Sequence, residues 1–166
     1  MATPAGVVDP YPTTPDGIMA MLQDPEYVKA KYEALADRKT QLLQLEKTAD
    51  GHIFKVEREV DANLPDIAKK VLGDTNHLIQ TEVWHANSAG GYDADVTIDS
   101  PGKPVKLAGT MHVAPDGDGK ATWKVDFMVK ASVPLIGGKI EQIVAKETQD
   151  NLAKEYSFNT TWLAGR

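Results

Sequence analysis

The side chains that could do chemistry are few. The chain has four histidines, His52, His77, His85 and His112, and no cysteine, so a thiol nucleophile and a thiolate metal site are both excluded. No two histidines stand at a metal-binding spacing with a nearby acid, and no metal or cofactor is expected. Ser88, Ser100, Ser132 and Ser157 lie outside any Gly-x-Ser-x-Gly context, so no hydrolase triad is indicated. Gly117-Asp118-Gly119 carries an acid and precedes a strand pattern rather than a helix, which makes it a hairpin turn and not a phosphate cradle. Asp93, Asp95 and Asp99 alternate along one strand face, as a solvated face does.

What remains is a small set of polar residues on faces otherwise apolar. Arg58 accompanies Phe54, Val56 and Val60. His85 and Thr81 accompany Ile79 and Val83, and Glu147 and Asn151 accompany Ile143 and Val144. A buried charge costs several kcal/mol or more unless it is paired. An inward Arg58 therefore needs a carboxylate, with Glu147 as the candidate across the gap; the alternative is that it snorkels to water from a strand end. Few polar groups in an apolar surround is the usual composition of a small-molecule site.

A chain of 166 residues can bury a substantial core on which these side chains are carried. The 42% hydrophobic and 25% charged composition is that of a soluble globular protein. A net charge of −6 argues against nucleic acid and against an anionic membrane surface. No apolar stretch approaches transmembrane length, so stable membrane insertion is not expected. The first residues lack a basic region followed by an apolar run, which points to the cytoplasm. Nothing in the sequence sets an oligomeric state, and no linker divides the chain, so one domain over 1–166 is expected.

Along the chain, Val7 and Val8 sit among prolines and predict at most a weak edge strand. Thr14-Pro15 and Asp24-Pro25 are N-cap and first-turn pairs that open two short helices. From Lys39 the period becomes two. A strand through Leu43 and Leu45, covered in part on both sides, turns at Asp50-Gly51 into the Phe54–Val60 strand. A short helical segment, Ile67 to Leu72, is followed by four more strands bounded by turn residues. In the last three, Val96, Val105, Leu107, Met111, Trp123, Val125 and Phe127 point inward, with acids and lysines outward. After Val133-Pro134 two glycines free the backbone to turn. A helix from about Lys139 to Leu163 follows, on the order of 37 Å long.

This order is α+β: a curved antiparallel sheet of six or seven strands wrapped around a long C-terminal helix, with two short helices after the first strand. It resembles the helix-grip fold of the START, polyketide-cyclase and Bet v 1-like superfamily. The resemblance covers the chain from about Thr13. It is carried by Leu22-Gln23-Asp24-Pro25-Glu26-Tyr27, Asn63-Leu64-Pro65, Gln80-Thr81-Glu82-Val83-Trp84 and Val133-Pro134-Leu135-Ile136-Gly137-Gly138-Lys139-Ile140-Glu141, which are similar to one bacterial family of unknown function. The sequence departs from that family at Ala5–Tyr11, where a clear first strand would stand.

The resemblance implies a hydrophobic cavity between sheet and helix that holds a lipid, polyketide or other apolar small molecule, and it transfers no catalytic residue. Geometry leads to a cavity as well, because a curled sheet and one straight helix cannot touch along their whole length. The expected walls are Phe54, Val56, Val83, Val96 and Leu107 with Met111, Trp123, Phe127, Ile143 and Val144. Arg58, His85, Glu147 and Asn151 are the expected polar points. Non-catalytic binding is the first functional reading. A cyclase or dehydratase using His85, Glu147 or Arg58 is the second. A chaperone-regulator-like interaction module, using an outer face with Trp84 or the helix, is the third.

Overall fold

The structure is a computed structural model that describes residues 2–35, 39–61 and 64–166, so Asn63 of the quoted motifs lies outside the described residues. Seven strands form one antiparallel sheet in the order β1-β7-β6-β5-β4-β3-β2. They are β1 (Thr3–Tyr11), β2 (Lys39–Lys47), β3 (Gly51–Asp61), β4 (Thr75–Ala86), β5 (Tyr92–Asp99), β6 (Val105–Pro115) and β7 (Ala121–Ala131). The helices are α1 (Pro15–Leu22) and α2 (Pro25–Ala34) between β1 and β2, α3 (Asp66–Leu72) between β3 and β4, and the C-terminal α4 (Gly137–Ala164). The sheet is curved and α4 lies in its concavity, which is the helix-grip arrangement. At 28 residues, α4 is about 42 Å long. No helix among the described residues is long and apolar enough to cross a membrane.

The first strand is stronger than its prolines suggest. β1 pairs with β7 along its whole length, Thr3 opposite Val129 to Tyr11 opposite Ala121. In an antiparallel pair, alternate residues turn their amides away from the neighbour. Gly6 does so, its N–H reaching Gln149 Oε1 on α4 at 2.5 Å. Pro4 and Pro10 share that parity, so the ladder to β7 loses no donor. An edge position is where prolines can stand.

The helix starts follow the sequence. Thr14 accepts from the Gly17 amide at 3.1 Å and Asp24 from the Glu26 amide at 2.9 Å, each with proline at the first helical position. The start of α4 differs from the expectation. The left-handed residue is Leu135, with φ 69°, and not either glycine. Gly137 matters for another reason, since a Cβ there would stand 2.8 Å from the Ala131 carbonyl oxygen at the end of β7. Glu141, one turn on, is buried and accepts from the Ala131 amide and the Thr3 hydroxyl, both at 3.0 Å. These bonds hold its carboxyl below the usual range, that from the Ala131 amide foremost. They also pin the head of α4 to β7 and β1.

The inner sheet face carries the core: Val96, Val105, Leu107, Met111, Trp123, Val125 and Phe127 are buried, while Lys106, His112, Lys124, Asp126 and Lys130 are exposed. Two expectations fail. β2 is not covered on both sides but is an exposed edge strand, with Leu42 and Leu43 open to solvent and a bulge between Leu42 and Gln44. In β4 the faces are reversed: Gln80, Glu82 and Trp84 are buried, Val83 faces outward half-exposed, and His85 is exposed.

Candidate functional site

The cavity arises because α4 packs chiefly against β1 and β7, at one side of the sheet. Over β3 to β6 the sheet curls away, and a cavity of about 350 Å³ is left. Val60, Leu78, Ile98, Leu107 and Phe127 form its floor on the sheet. Leu64, just before α3, and Leu72, at its end, close one side, and Leu35 at the end of α2 another. Val144, Glu147, Thr148, Asn151 and Leu152 descend from α4 as its roof. This volume and mostly apolar lining suit a small-molecule site.

A buried polar chain runs along one wall. Arg58 Nη2 donates to Gln80 Oε1 at 3.1 Å, and Gln80 Nε2 donates to Glu82 Oε2 at 2.6 Å. Trp84 Nε1 donates to Glu82 Oε1 at 2.9 Å. Period-two spacing makes this possible, since residues 80, 82 and 84 of one strand line one face. Burial pushes the Glu82 carboxyl above the usual range, against the pull of Lys31 and of these two donors. Opposite stands Lys31 of α2, whose Nζ lies 2.6 Å from Glu155 Oε1 on α4. Burial works against the Lys31 charge, but the Glu155 carboxylate outweighs it and holds the ammonium well above its ordinary pKa. Tyr32 lies between the two cations, its ring 5.1 Å from Lys31 Nζ and 5.2 Å from Arg58 Cζ.

Beyond this wall lies an inner chamber of about 40 Å³, which shares Met111, Leu152 and Glu155 with the larger cavity. Lys31, Tyr32, Glu82, His52 and Trp123 line it. At its far end the Tyr27 hydroxyl donates to Asn159 Oδ1 at 2.5 Å, and Asn159 Nδ2 donates to the Tyr11 oxygen at 3.2 Å. Burial pushes the Tyr11, Tyr27 and Tyr32 hydroxyls up, so all three are neutral. His52 is stacked on Trp84 with ring centroids 6.1 Å apart, and its Nδ1 faces Gln23 Nε2 at 3.2 Å. Burial lowers its pKa to about 4.

Of the residues singled out by sequence, Arg58, Leu107, Met111, Phe127, Val144, Glu147 and Asn151 line the larger cavity. Phe54 and Trp123 line the inner chamber together with Met111. Val56 and Val96 are buried in the core and line neither space, and Ile143 is half-buried on α4. Val83 and His85 belong to the outer face, because the parity of β4 is the opposite of that expected. Trp84, expected on an outer face, is 1% exposed. Glu147 is exposed on α4, and the Arg58 guanidinium turns to Gln80 and Tyr32. Sequence reasoning missed Lys31, Tyr32, Gln80 and Glu82. The signal available was Gln80-x-Glu82-x-Trp84: a tryptophan with period-two polar partners marks a face that has to be buried and bonded.

Three comparisons bear on this architecture. The sequence profile of a family described as "Protein of unknown function (DUF2505)" matches residues 7–163. The uncharacterized protein Rv0481c of Mycobacterium tuberculosis is 26% identical over 104 residues, 61% of this chain; the match spans 59% of that relative's length. Among solved structures, a START superfamily protein from Mycobacterium smegmatis superposes with a TM-score of 0.62 at 16% identity, covering 96% of this chain and 98% of that one. The Zhui aromatase/cyclase from Streptomyces sp. R1128 gives 0.65 at 10% identity, covering 95% and 91%. At such identities the likeness to these two structures is one of fold.

Proposed function

Because the chain belongs to the DUF2505 family, whose function is unknown, we propose its role from its own geometry: it binds a largely apolar small molecule or lipid between the sheet and α4 and does not transform it. The observation that carries this reading is the 350 Å³ cavity with an apolar floor on the sheet, and polar groups confined to one wall and to the helical roof. Its position between an open sheet and a helix held at one side lets a ligand complete the core that α4 leaves unfilled. The fold shared with a START superfamily protein and with an aromatase/cyclase supports an interior that receives an organic molecule.

Binding is favoured over catalysis by the state of the polar groups. Lys31 is held as an ammonium by Glu155, so it has no lone pair for nucleophilic attack. Both oxygens of Glu82 already accept hydrogen bonds, from Gln80 and Trp84. His85, the imidazole expected to act as acid or base, is on the outer face. Groups so engaged orient a ligand rather than exchange protons with it.

The test is native mass spectrometry of the freshly purified full chain. A small-molecule adduct that survives gentle ionisation and is lost on denaturation is the expected result. A bare polypeptide mass from more than one expression host, together with no uptake of any long-chain alcohol, ketone, acid or amine, overturns the reading.

A further inference from the structure

The inner chamber is too small for a ligand and unusually rich in polar atoms that lack a partner. Its roughly 40 Å³ has room for about two or three waters. Three side chains on its walls are more than nine-tenths buried: His52 at 1%, Tyr32 at 2% and Trp123 at 7% exposure. Their polar atoms, His52 Nε2, the Tyr32 hydroxyl and Trp123 Nε1, make no hydrogen bond to any described residue. Two of the three can only donate, and the Tyr32 hydroxyl can donate or accept. An indole nitrogen can only donate, and His52 Nδ1 faces the Gln23 amide nitrogen, which puts the imidazole proton on Nε2. A buried donor left unmade costs about 1–3 kcal/mol, so this cluster calls for an oxygen acceptor.

The charges decide which kind of oxygen. Asp9, Glu82 and Glu155 line the chamber against Lys31 alone, and Lys31 is already matched by Glu155 at 2.6 Å. The adjoining cavity adds no compensating positive charge, since Asp61 and Glu147 stand against Arg58 and Lys154 once Glu155 is matched to Lys31. A carboxylate or phosphate would bring a further negative charge into this surround. An ammonium would bring only donors to the unpartnered N–H groups, and would stand close to the Lys31 ammonium.

We infer that the inner chamber is the head-group end of the site, and that it selects a neutral oxygen acceptor, a carbonyl or hydroxyl, on an otherwise apolar ligand whose body fills the larger cavity. The inference rests on reading the larger cavity as a ligand site, and the two can fail separately.

Four probes with one chain length and different heads make the test: decyl alcohol, methyl octyl ketone, decanoate and decylamine. Each is titrated calorimetrically at neutral pH into the full chain, first passed over a hydrophobic resin to remove co-purified ligand. The alcohol and ketone should bind at least about tenfold more tightly than the two charged probes. Trp123→Phe replaces the indole by a smaller aromatic ring without an N–H, and should weaken the ketone by up to about tenfold. Glu82→Gln should narrow the gap between alcohol and decanoate. If that variant does not fold, by circular dichroism, the Trp123→Phe result stands by itself. Equal binding of all four probes, a preference for a charged head, or ketone affinity unchanged by Trp123→Phe overturns the inference while leaving the cavity reading intact. Failure of all four to bind overturns the cavity reading and the inference with it.

Discussion

His52 is neutral at a pH where a histidine in water would be largely protonated, and its surroundings say why. The ring is stacked on Trp84, 1% exposed, and offered one amide by Gln23. Burial takes its pKa from 6.5 to about 4. The consequence for stability has a definite sign. Above pH 6.5 neither the folded nor the unfolded chain is protonated at this residue, and the full contribution of the neutral ring is present. As the pH falls from 6.5 toward 4 the unfolded chain takes up a proton that the folded one refuses, so stability falls across that window and levels off below it. Glu82 acts in the opposite sense, because its raised pKa makes the folded state the better proton acceptor above 4.5. The two are separated by His52→Phe, which keeps the stacking and removes the titration. Urea unfolding of both proteins from pH 7 to pH 4 should show the wild type losing more stability than the variant. A His52 ring that titrates near 6.5 by NMR would contradict this account.

At the scale of elements, most of the fold was legible because the sequence says which side of each strand is wet. In β5, β6 and β7, acids and lysines mark the outer face and the inner positions are buried as expected. β4 was not legible in this way, since each of its faces mixes apolar with polar residues: Ile79, Thr81, Val83 and His85 against Leu78, Gln80, Glu82 and Trp84. The choice is made by tertiary contacts. Trp84 stacks on His52 and meets Trp123 edge to face, and Glu82 finds donors only in the interior. One misread parity moved Val83 and His85 out of the site and hid Gln80 and Glu82, because a slip of one residue exchanges the faces of a strand. The entrance to α4 is a second case. Gly137 and Gly138 look alike in sequence, yet only Gly137 faces a neighbour closely, 2.8 Å from the Ala131 oxygen to a built Cβ, whereas Gly138 has open space. Gly137→Ala should destabilise by about 1–3 kcal/mol through the forced shift of α4. Gly138→Ala should be neutral or stabilising by up to about 1 kcal/mol, as alanine suits a helix better. Opposite signs in urea unfolding are expected, and equal effects would mean that the close approach of helix and sheet is not what Gly137 serves.

For the molecule as a whole, the position of α4 is a compromise between filling the core and leaving room. Its head is tied to β7 and β1 through Glu141, and Tyr156 lower down donates to the Pro10 carbonyl at 2.8 Å. Fixed at these points along β1, the helix cannot also descend onto β3 to β5, and the empty volume above those strands goes unfilled. Unfilled volume lined by apolar side chains lowers stability by lost contacts, on the order of 24 cal/mol per Å³ in cores that cannot relax. A protein under selection for stability alone would fill it with larger side chains from α4. Val144, half-buried and facing the cavity, is where such a side chain would enter. Val144→Phe should therefore leave the melting temperature unchanged or higher in the absence of ligand, while cutting the affinity for the long-chain alcohol at least about tenfold, since the ring occupies the volume that the ligand body needs. The two readouts together identify the reason for the void. Lower stability with intact binding would place the ligand elsewhere, and a gain in stability with lost binding would mean that the gap under α4 is kept open for its occupant.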